Sequence, residues 1–328
     1  MILYINIILN IIYYMSNKKY TFFENKILGK GLTSIVYEAI ENKTKEKVAA
    51  KIISKLNKIK NFNNYISNEI TVLNFLNSYS NIIKLLDVEE NEKQYILVFE
   101  YAPIKFEKII HSIPYDKIFL YVKQLLEILV LLKNNNILHN DIKPANILIN
   151  NDKIKLCDFG MAEFLDENVN SIKGFVCGSP MYMNLSKING IHSYDTDFWC
   201  FKLIYYEMLY GRHPFNGIKN TKDLKIKLEN VNKDLYKNIT FYSDEDAHTQ
   251  ILKKLFSNEI KTPSELLDLM NNVIIDKNLI QVNLEINKSS EEFSFSEIEE
   301  SNFSLSAIKI SKEVSVFNID ECNQFILI

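Results

Sequence analysis

Apolar and polar positions alternate over short stretches in the first third of the chain. FFENKILGKG, SIVYEAI, EKVAAKII and QYILVFEY combine β-branched or aromatic residues with neighbouring turns, which is typical of strands. NEITVLNFLN, between the last two, has helical spacing instead. We therefore predict a small, mostly β lobe with one helix over residues 20–102.

The spacing becomes helical from about residue 115 onward. One run places its apolar residues on a single helical face, and DFWCFKLIYYEMLYG predicts a strongly apolar helix. The face consists of Val122, Leu125, Leu126, Leu129 and Leu132. The predicted fold class is α+β, with the β-rich lobe followed by a larger α-helical lobe over residues 103–275.

The two ends of the chain differ from this middle part. Residues 276–328 are predicted to be a tail, because NKSSEEFSFSEIEESNFSLS has the composition of a linker. The apolar start, MILYINIILNIIYYM, is too short to span a bilayer and lacks a cationic stretch. Residues 1–19 are therefore interpreted as an extension that begins upstream of a functional start at Met15, packs on the domain or contacts a membrane. We expect no stable membrane insertion.

Composition narrows the function classes. The chain has 328 residues, 47% of them hydrophobic, and a net charge of −3, so it can bury a full core. Its lysines are scattered among acidic residues, which gives no electrostatic reason to expect a nucleic acid partner. Its 4 cysteines lack metal-ligand spacing and indicate reduced thiols, and hence a cytoplasmic location.

A glycine turn between two predicted strands is the first candidate binding feature. In LGKGLTSIVYEA, Gly29, Lys30 and Gly31 form the turn and Val36 follows it. Missing side chains let backbone N–H groups approach phosphates. An ordinary glycine hairpin would look the same, and Ser34 stands where such motifs carry a third glycine.

A lysine follows at the end of an apolar strand. Lys51 in VAAK needs an anionic partner there, and Glu69 on the next helix is placed to supply it. Two solvated surface charges would be the alternative.

The polar cluster HNDIKPAN, together with CDFG, carries the strongest chemical signal. Asp141 can accept a hydroxyl proton, and Lys143 can neutralise a transferring phosphoryl group. Asn146 and Asp158 supply oxygen ligands for a hard metal ion, and Gly160 is expected to permit the backbone reversal that follows.

These motifs, in this order, resemble those of the eukaryotic protein kinase superfamily from about Phe22 to about Asn272. The resemblance implies the bilobal protein kinase fold and an ATP-dependent enzyme that uses Mg²⁺. DIKPAN is similar to serine/threonine kinases, so the expected partner is a protein substrate with a Ser or Thr acceptor. VCGSPMYM and YDTDFWCFKLIYYEMLYGRHPF resemble the autophagy-initiating and calcium/calmodulin-type kinases.

Roles for single residues follow from this resemblance. It implies that Asp141 is the catalytic base, Lys143 assists it, Lys51 holds the α- and β-phosphates and Glu69 orients Lys51. It also implies that Asn146 and Asp158 hold Mg²⁺. The remaining nucleotide-binding residues it implies are the turn at Gly29, Lys30 and Gly31, the adenine-contacting Val36, Ala49 and Leu148, and the hinge residues Glu100 and Ala102.

Asn140 departs from the family pattern, in which an arginine before the catalytic aspartate grips a phosphate on the activation loop. The residue two before CGSP, where the autophagy kinases place a phosphorylated threonine, is Phe175. We therefore expect activity without activation-loop phosphorylation, with Phe175 as an apolar anchor. Departures at Ser34, Ser186 and Lys202 favour the alternative of a pseudokinase acting as a nucleotide-responsive scaffold.

A short motif lies in the tail. Phe295 and Ile298 stand three residues apart among glutamates, in EEFSFSEIEE. This spacing resembles the acidic motif through which autophagy kinases add a strand to ubiquitin-like modifier proteins. A solvated linker is the alternative.

Overall fold

The computed structural model describes residues 19–31, 34–55, 62–217, 221–231, 239–241 and 247–272. The chain divides into two compact units, residues 1–238 and 239–328, which are described separately. The N-terminal extension to residue 18, the serine-rich tail and the motif at Phe295–Ile298 lie outside the described residues.

A five-stranded antiparallel sheet begins the first unit, with strand order β1-β2-β3-β5-β4. A helix, α1 (Phe62–Phe75), lies between β3 and β4 in the chain. The strands are β1 (Tyr20–Lys30), β2 (Ser34–Glu41), β3 (Lys47–Ser54), β4 (Leu85–Glu90) and β5 (Gln94–Glu100). The mostly β lobe with one helix, predicted from alternation, is present.

The sheet has one apolar face and one face that carries candidate site residues. The core on one face consists of Tyr20, Phe22, Ala39, Val48, Ala50, Ile96 and Val98. Side chains alternate along a strand, so Ala49 and Lys51 of β3 point to the other face. Val36 of β2 pairs with Lys51, which places it on that same face.

Helices dominate the rest of the first unit. They are α2 (Phe106–Ile109), α3 (Tyr115–Asn134), α4 (Leu185–Ile188), α5 (Tyr194–Tyr210) and α6 (Thr221–Val231). The predicted apolar face of α3 is buried at all five positions. Residues 196–208 of α5 are all buried, as expected for a helix that is apolar on every side.

Short strands position the loops of the candidate site. They are β6 (Ile104–Lys105), β7 (Ile137–Leu138), β8 (Ile147–Asn150), β9 (Lys153–Leu156), β10 (Glu163–Phe164), β11 (Ser171–Lys173) and β12 (Ile191–Ser193). They form the small sheets β6-β8-β9, β10-β7 and β11-β12. The loop between β7 and β8 carries Asp141, and the loop between β9 and β10 carries Asp158.

The second unit contains α7 (Ala247–Phe256) and a further helix, α8, over residues 263–272. Thr262 and Glu265 cap α8 reciprocally, since the Glu265 N–H donates to Thr262 Oγ1 and the Thr262 N–H donates to Glu265 Oε2. In the part of the chain that the structure describes, no helix has the length and apolar character needed to cross a membrane. The α+β fold class predicted from the sequence is confirmed, whereas the domain limits at residues 20, 102 and 275 remain predictions.

Candidate active site

A buried ion pair joins the sheet to helix α1. Lys51 Nζ lies 2.8 Å from both carboxylate oxygens of Glu69 and 3.4 Å from Asp158 Oδ1. Burial disfavours the Lys51 ammonium, but the Glu69 and Asp158 carboxylates outweigh it and raise its pKa. The same ammonium lowers the pKa of Asp158. The pairing inferred from the sequence is therefore present, and Asp158 joins it as a third member.

The backbone around Asp158 reverses at the aspartate itself. Asp158 has φ 66° and ψ 67°, in the left-handed region, and a short 3₁₀ turn over Phe159–Met161 follows. The expectation that Gly160 permits this reversal is wrong, because the positive φ belongs to Asp158. The amide of Asn68 on α1 holds the segment by donating to the Ala162 carbonyl at 2.5 Å. A left-handed aspartate is uncommon, and these contacts offset its strain.

The Asp141 carboxylate sits at the centre of a hydrogen-bonded cluster. Lys143 Nζ donates to its Oδ2 at 2.7 Å, and the Ser179 hydroxyl donates to its Oδ1 at 3.0 Å. Lys143 Nζ also lies 2.7 Å from Ser179 Oγ. The Asn146 amide nitrogen donates to the Asp141 carbonyl at 2.8 Å and to Oδ2 at 3.1 Å. Lys143, Asn146 and Asp141 therefore come together as the spacing predicted, and Ser179 is an addition.

Asp197 binds the backbone of the loop between β7 and β8, next to Asp141. Its carboxylate accepts from the backbone N–H of His139 at 2.7 Å and of Asn140 at 3.0 Å. His139 Nδ1 accepts from the Asp141 N–H, while its Nε2 faces the Cys157 carbonyl at 3.2 Å and donates to it. Burial raises the pKa of Asp197. These contacts position Asp141 relative to the segment that carries Asp158.

The candidate nucleotide cleft lies beside these groups. Gly29 and Lys30 end β1, and the N–H of the following Gly31 donates to the Ser34 carbonyl at 2.8 Å across the turn. Val36, Ala49 and Leu148 are each half-buried. The Glu100 carboxylate pairs with Lys155 at 2.8 Å and 3.0 Å, so its side chain has a structural contact outside the cleft. Ala102 follows Glu100 in the stretch that leads to β6.

Asn140 links two charged residues from distant parts of the chain. Its Oδ1 accepts from Lys187 Nζ at 2.5 Å, and its Nδ2 donates to Glu163 Oε2 at 2.6 Å. Lys187 is 3% exposed, so a buried cation stands beside Asn140 although arginine is missing there. Asn140 has φ 67°, a left-handed conformation that asparagine tolerates better than most residues.

His192 extends this network to the activation segment, the stretch between Gly160 and Ser179 that contains Phe175. Its Nδ1 donates to Glu163 Oε2 at 2.6 Å, and its Nε2 lies 2.9 Å from the Phe175 carbonyl. Both ring nitrogens thus face acceptor oxygens, one on the Glu163 carboxylate and one on the Phe175 carbonyl. A Cβ on Gly174 would lie 2.6 Å from the His192 ring, so glycine is required for this close approach.

The expected role of Phe175 as an apolar anchor is wrong. Its side chain is 86% exposed, and only its backbone carbonyl joins the network. A single aromatic residue on a surface loop need not be buried, because folded proteins expose much apolar surface. Polar and charged contacts, rather than apolar packing, hold this segment.

Asn184 orders the turn that carries Ser186, one of the departures from the family pattern. It is the N-cap of α4, and its Oδ1 accepts from the Lys187 N–H at 2.9 Å. The cap orients the first turn, which carries Ser186 and sends the Lys187 side chain inward. Lys202 is buried on α5 with its Nζ 5.0 Å from the Phe198 ring centroid, and burial lowers its pKa to about 8.

Sequence reasoning missed Ser179, Glu163, Lys187 and His192 as members of the site. Each has an ordinary residue type and no fixed distance from HNDIKPAN along the chain. The one available signal was Asn140 itself, since a missing cation beside a predicted catalytic aspartate calls for a replacement elsewhere.

Comparison with known proteins finds similarity to protein kinases along most of the chain. The protein kinase domain matches residues 22–279. The chain is 33% identical to serine/threonine-protein kinase TIO of Arabidopsis thaliana over 196 residues, which is 58% of this chain and 15% of TIO. It is 33% identical to a putative serine/threonine-protein kinase, R517/R518, of Acanthamoeba polyphaga mimivirus over 248 residues, which is 66% of this chain and 55% of that protein.

Human serine/threonine-protein kinase ULK1 is 31% identical over 228 residues, which is 64% of this chain and 21% of ULK1. The matched part of the chain therefore spans between 15% and 55% of the length of these relatives.

Proposed function

The chain belongs to the protein kinase domain family, and we propose that it transfers the γ-phosphoryl group of ATP to serine or threonine hydroxyls of proteins. The observation that carries this proposal is the environment of Asp141. Its carboxylate already accepts a hydrogen bond from a serine hydroxyl, and a lysine ammonium lies 2.7 Å away. A substrate hydroxyl in place of Ser179 Oγ would meet both groups.

Two residues act directly on the acceptor. Asp141 accepts the proton of the attacking hydroxyl, since a carboxylate within hydrogen-bond distance is suited to general base catalysis. Lys143 bridges Asp141 and Ser179, so its ammonium lies where negative charge develops during transfer. The Asn146 amide holds the carboxylate in a single orientation.

The remaining predicted residues bind the nucleotide. Lys51, oriented by Glu69, holds the α- and β-phosphates, and the turn at Gly29, Lys30 and Gly31 covers the phosphates. Val36, Ala49 and Leu148 enclose the adenine. The Glu100 carbonyl and the Ala102 N–H hydrogen-bond its edge, a role that leaves the Glu100 carboxylate free to pair with Lys155.

Asn146 and Asp158 fit a magnesium site. The amide nitrogen of Asn146 is committed to Asp141, which leaves its oxygen for a cation. The Asp158 side chain is 48% exposed, and its Oδ1 is only loosely paired with Lys51, at 3.4 Å. Two protein oxygens suit Mg²⁺, which takes its other ligands from phosphates and water. When bound, Mg²⁺ would offset the negative charge of the phosphates.

Phosphate transfer from radiolabelled ATP to a peptide library containing Ser and Thr tests this proposal. We expect transfer by the wild type that requires Mg²⁺, and loss of at least about 100-fold with Asp141→Asn, because the base is removed. Nucleotide binding without transfer by the wild type would contradict the enzyme and favour the scaffold alternative.

We propose further that the kinase is active without activation-loop phosphorylation. In place of a phosphate, the Glu163 carboxylate accepts from Asn140 and His192, each at 2.6 Å. In place of the missing arginine, Lys187 supplies the buried cation. Glu163 thus does permanently what an added phosphate does in a switched loop, which is to bridge the catalytic loop and the activation segment.

The energies of these contacts support this proposal. Hydrogen bonds to charged groups contribute about 1.5 to 3 kcal/mol each, which corresponds to roughly one to two powers of ten in the population of the ordered segment. The Glu163 side chain is 35% exposed, so the lower end of that range applies.

Phosphatase treatment followed by an activity measurement tests this second proposal. We expect activity to change less than about three-fold, and Ser171→Ala to behave like the wild type. Glu163→Gln should lower activity by about five- to ten-fold, because the charge is lost, whereas the exposed Glu167→Gln serves as a matched control. A large loss on dephosphorylation that autophosphorylation at Ser171 restores would contradict the proposal.

Three further expectations from the sequence, on the domain limits, the location and the tail, are also part of the proposed function. We propose that the catalytic domain spans residues 20–275, which is close to the matched range 22–279. A cytoplasmic location is proposed from the pattern of cysteines. A ubiquitin-like modifier is proposed as a partner of the tail through Phe295–Ile298.

A further inference from the structure

Lys105 brings a positive charge to the mouth of the candidate nucleotide cleft. Its backbone pairs with Leu148 of β8, and its side chain extends toward the glycine turn. A Cβ built on Gly29 would have Lys105 Nζ as its nearest neighbour, at 3.6 Å. The ammonium therefore reaches from strand β6, which pairs with β8, to the glycine turn at Gly29.

The contacts of Lys105 within the protein are weak. Glu107 Oε1 lies 3.9 Å from its Nζ, and both side chains are 36% exposed, so this ion pair contributes little. Two segments of the cleft thus meet at this charge: the end of β1, through Gly29, and strand β8, through the backbone pairing of Lys105 with Leu148.

We propose that Lys105 is a second nucleotide-binding cation, in addition to Lys51, which donates to phosphate oxygens of the bound nucleotide. The inference rests on the proposed function. An ammonium has three donors and no acceptor, so its natural partner is an anion rather than the adenine edge. Phosphates covered by the glycine turn lie next to Gly29, and Lys105 Nζ lies beside Gly29.

Equilibrium binding of ADP and of adenosine, both with Mg²⁺ present, tests the inference without relying on activity. We expect Lys105→Met to weaken ADP binding by about two- to five-fold and Lys105→Glu by about ten-fold, since the charge is partly exposed. Adenosine binding should change by less than half as much, because adenosine carries no phosphate. Lys108→Met is the matched control, since it removes the same charge from an exposed position on helix α2.

The outcomes separate this inference from the function on which it rests. If the wild type binds ADP and Lys51→Met weakens that binding, but Lys105→Met behaves like Lys108→Met, the inference is wrong and the proposed function stands. Equal losses for ADP and adenosine would overturn the assignment to the phosphates. If the wild type binds no ADP, both the inference on Lys105 and the proposed function are wrong.

Discussion

Replacing Lys187 with methionine tests the network around Asn140 most directly. Lys187 is 3% exposed and donates to Asn140 Oδ1 at 2.5 Å. Burial raises the pKa of Asp197, and the Lys187 ammonium offsets part of that effect. Methionine has a similar length and no charge. The substitution therefore removes one donor and one cation while it largely keeps the packing volume.

The expected destabilisation follows from what is left behind. Asn140 Oδ1 becomes a buried acceptor without this donor, at a cost of about 1 to 3 kcal/mol. Asp197 loses a neighbouring cation, although two backbone N–H groups still bind it, and the burial cost of the ammonium disappears. We expect a net loss of about 2 to 4 kcal/mol in the free energy of unfolding, or roughly 4 to 12 °C in Tm. Activity should fall by about ten-fold or more, because Asn140 directly precedes Asp141.

Urea unfolding and peptide phosphorylation measure these two effects. Lys225→Met is the matched control, because Lys225 also donates to an asparagine oxygen, Asn189 Oδ1 at 3.2 Å, but is exposed. A double-mutant cycle with Asn140→Gly, which keeps the left-handed backbone, should give a coupling energy of at least about 1 kcal/mol. A loss no larger than that of Lys225→Met, or a coupling energy near zero, would refute the reasoning.

Three further predictions concern other parts of the chain. The pKa of Lys202 is lowered to about 8, so between pH 8 and its ordinary value of 10.5 the unfolded chain binds more protons and stability rises with pH. Lys202→Met should therefore stabilise the fold by about 1 to 3 kcal/mol at pH 7 and by progressively less toward pH 10, and calorimetry showing a pH-independent gain would contradict this. ATP should raise Tm only with Mg²⁺ or Mn²⁺, because Asn146 and Asp158 are oxygen ligands, and a shift that survives chelator would count against it. Titration of a ubiquitin-like modifier should give weaker binding to Phe295→Ala than to the wild type, and equal affinities would exclude the tail motif.

Much of the fold was determined by the sequence alone. Alternation predicted four of the five strands of the sheet, all except β4, and the stripe from Val122 to Leu132 predicted the buried face of α3. The order of Lys51, Asp141 and Asp158 along the chain was sufficient to propose the chemistry. These predictions are possible because period, turn residues and short motifs are local properties of the chain.

Only the tertiary structure decided how the activation segment is held. Glu163, Lys187 and His192 lie 23, 47 and 52 positions from Asn140 by residue number, and nothing local in the sequence links them. The apolar character of Phe175 indicated burial, yet its side chain is 86% exposed, because burial depends on whether a neighbouring surface offers a cavity. Side-chain contacts between distant segments depend on how the loops pack, so the charges that replace arginine and phosphate became visible only when the catalytic loop, α4 and β12 were placed side by side.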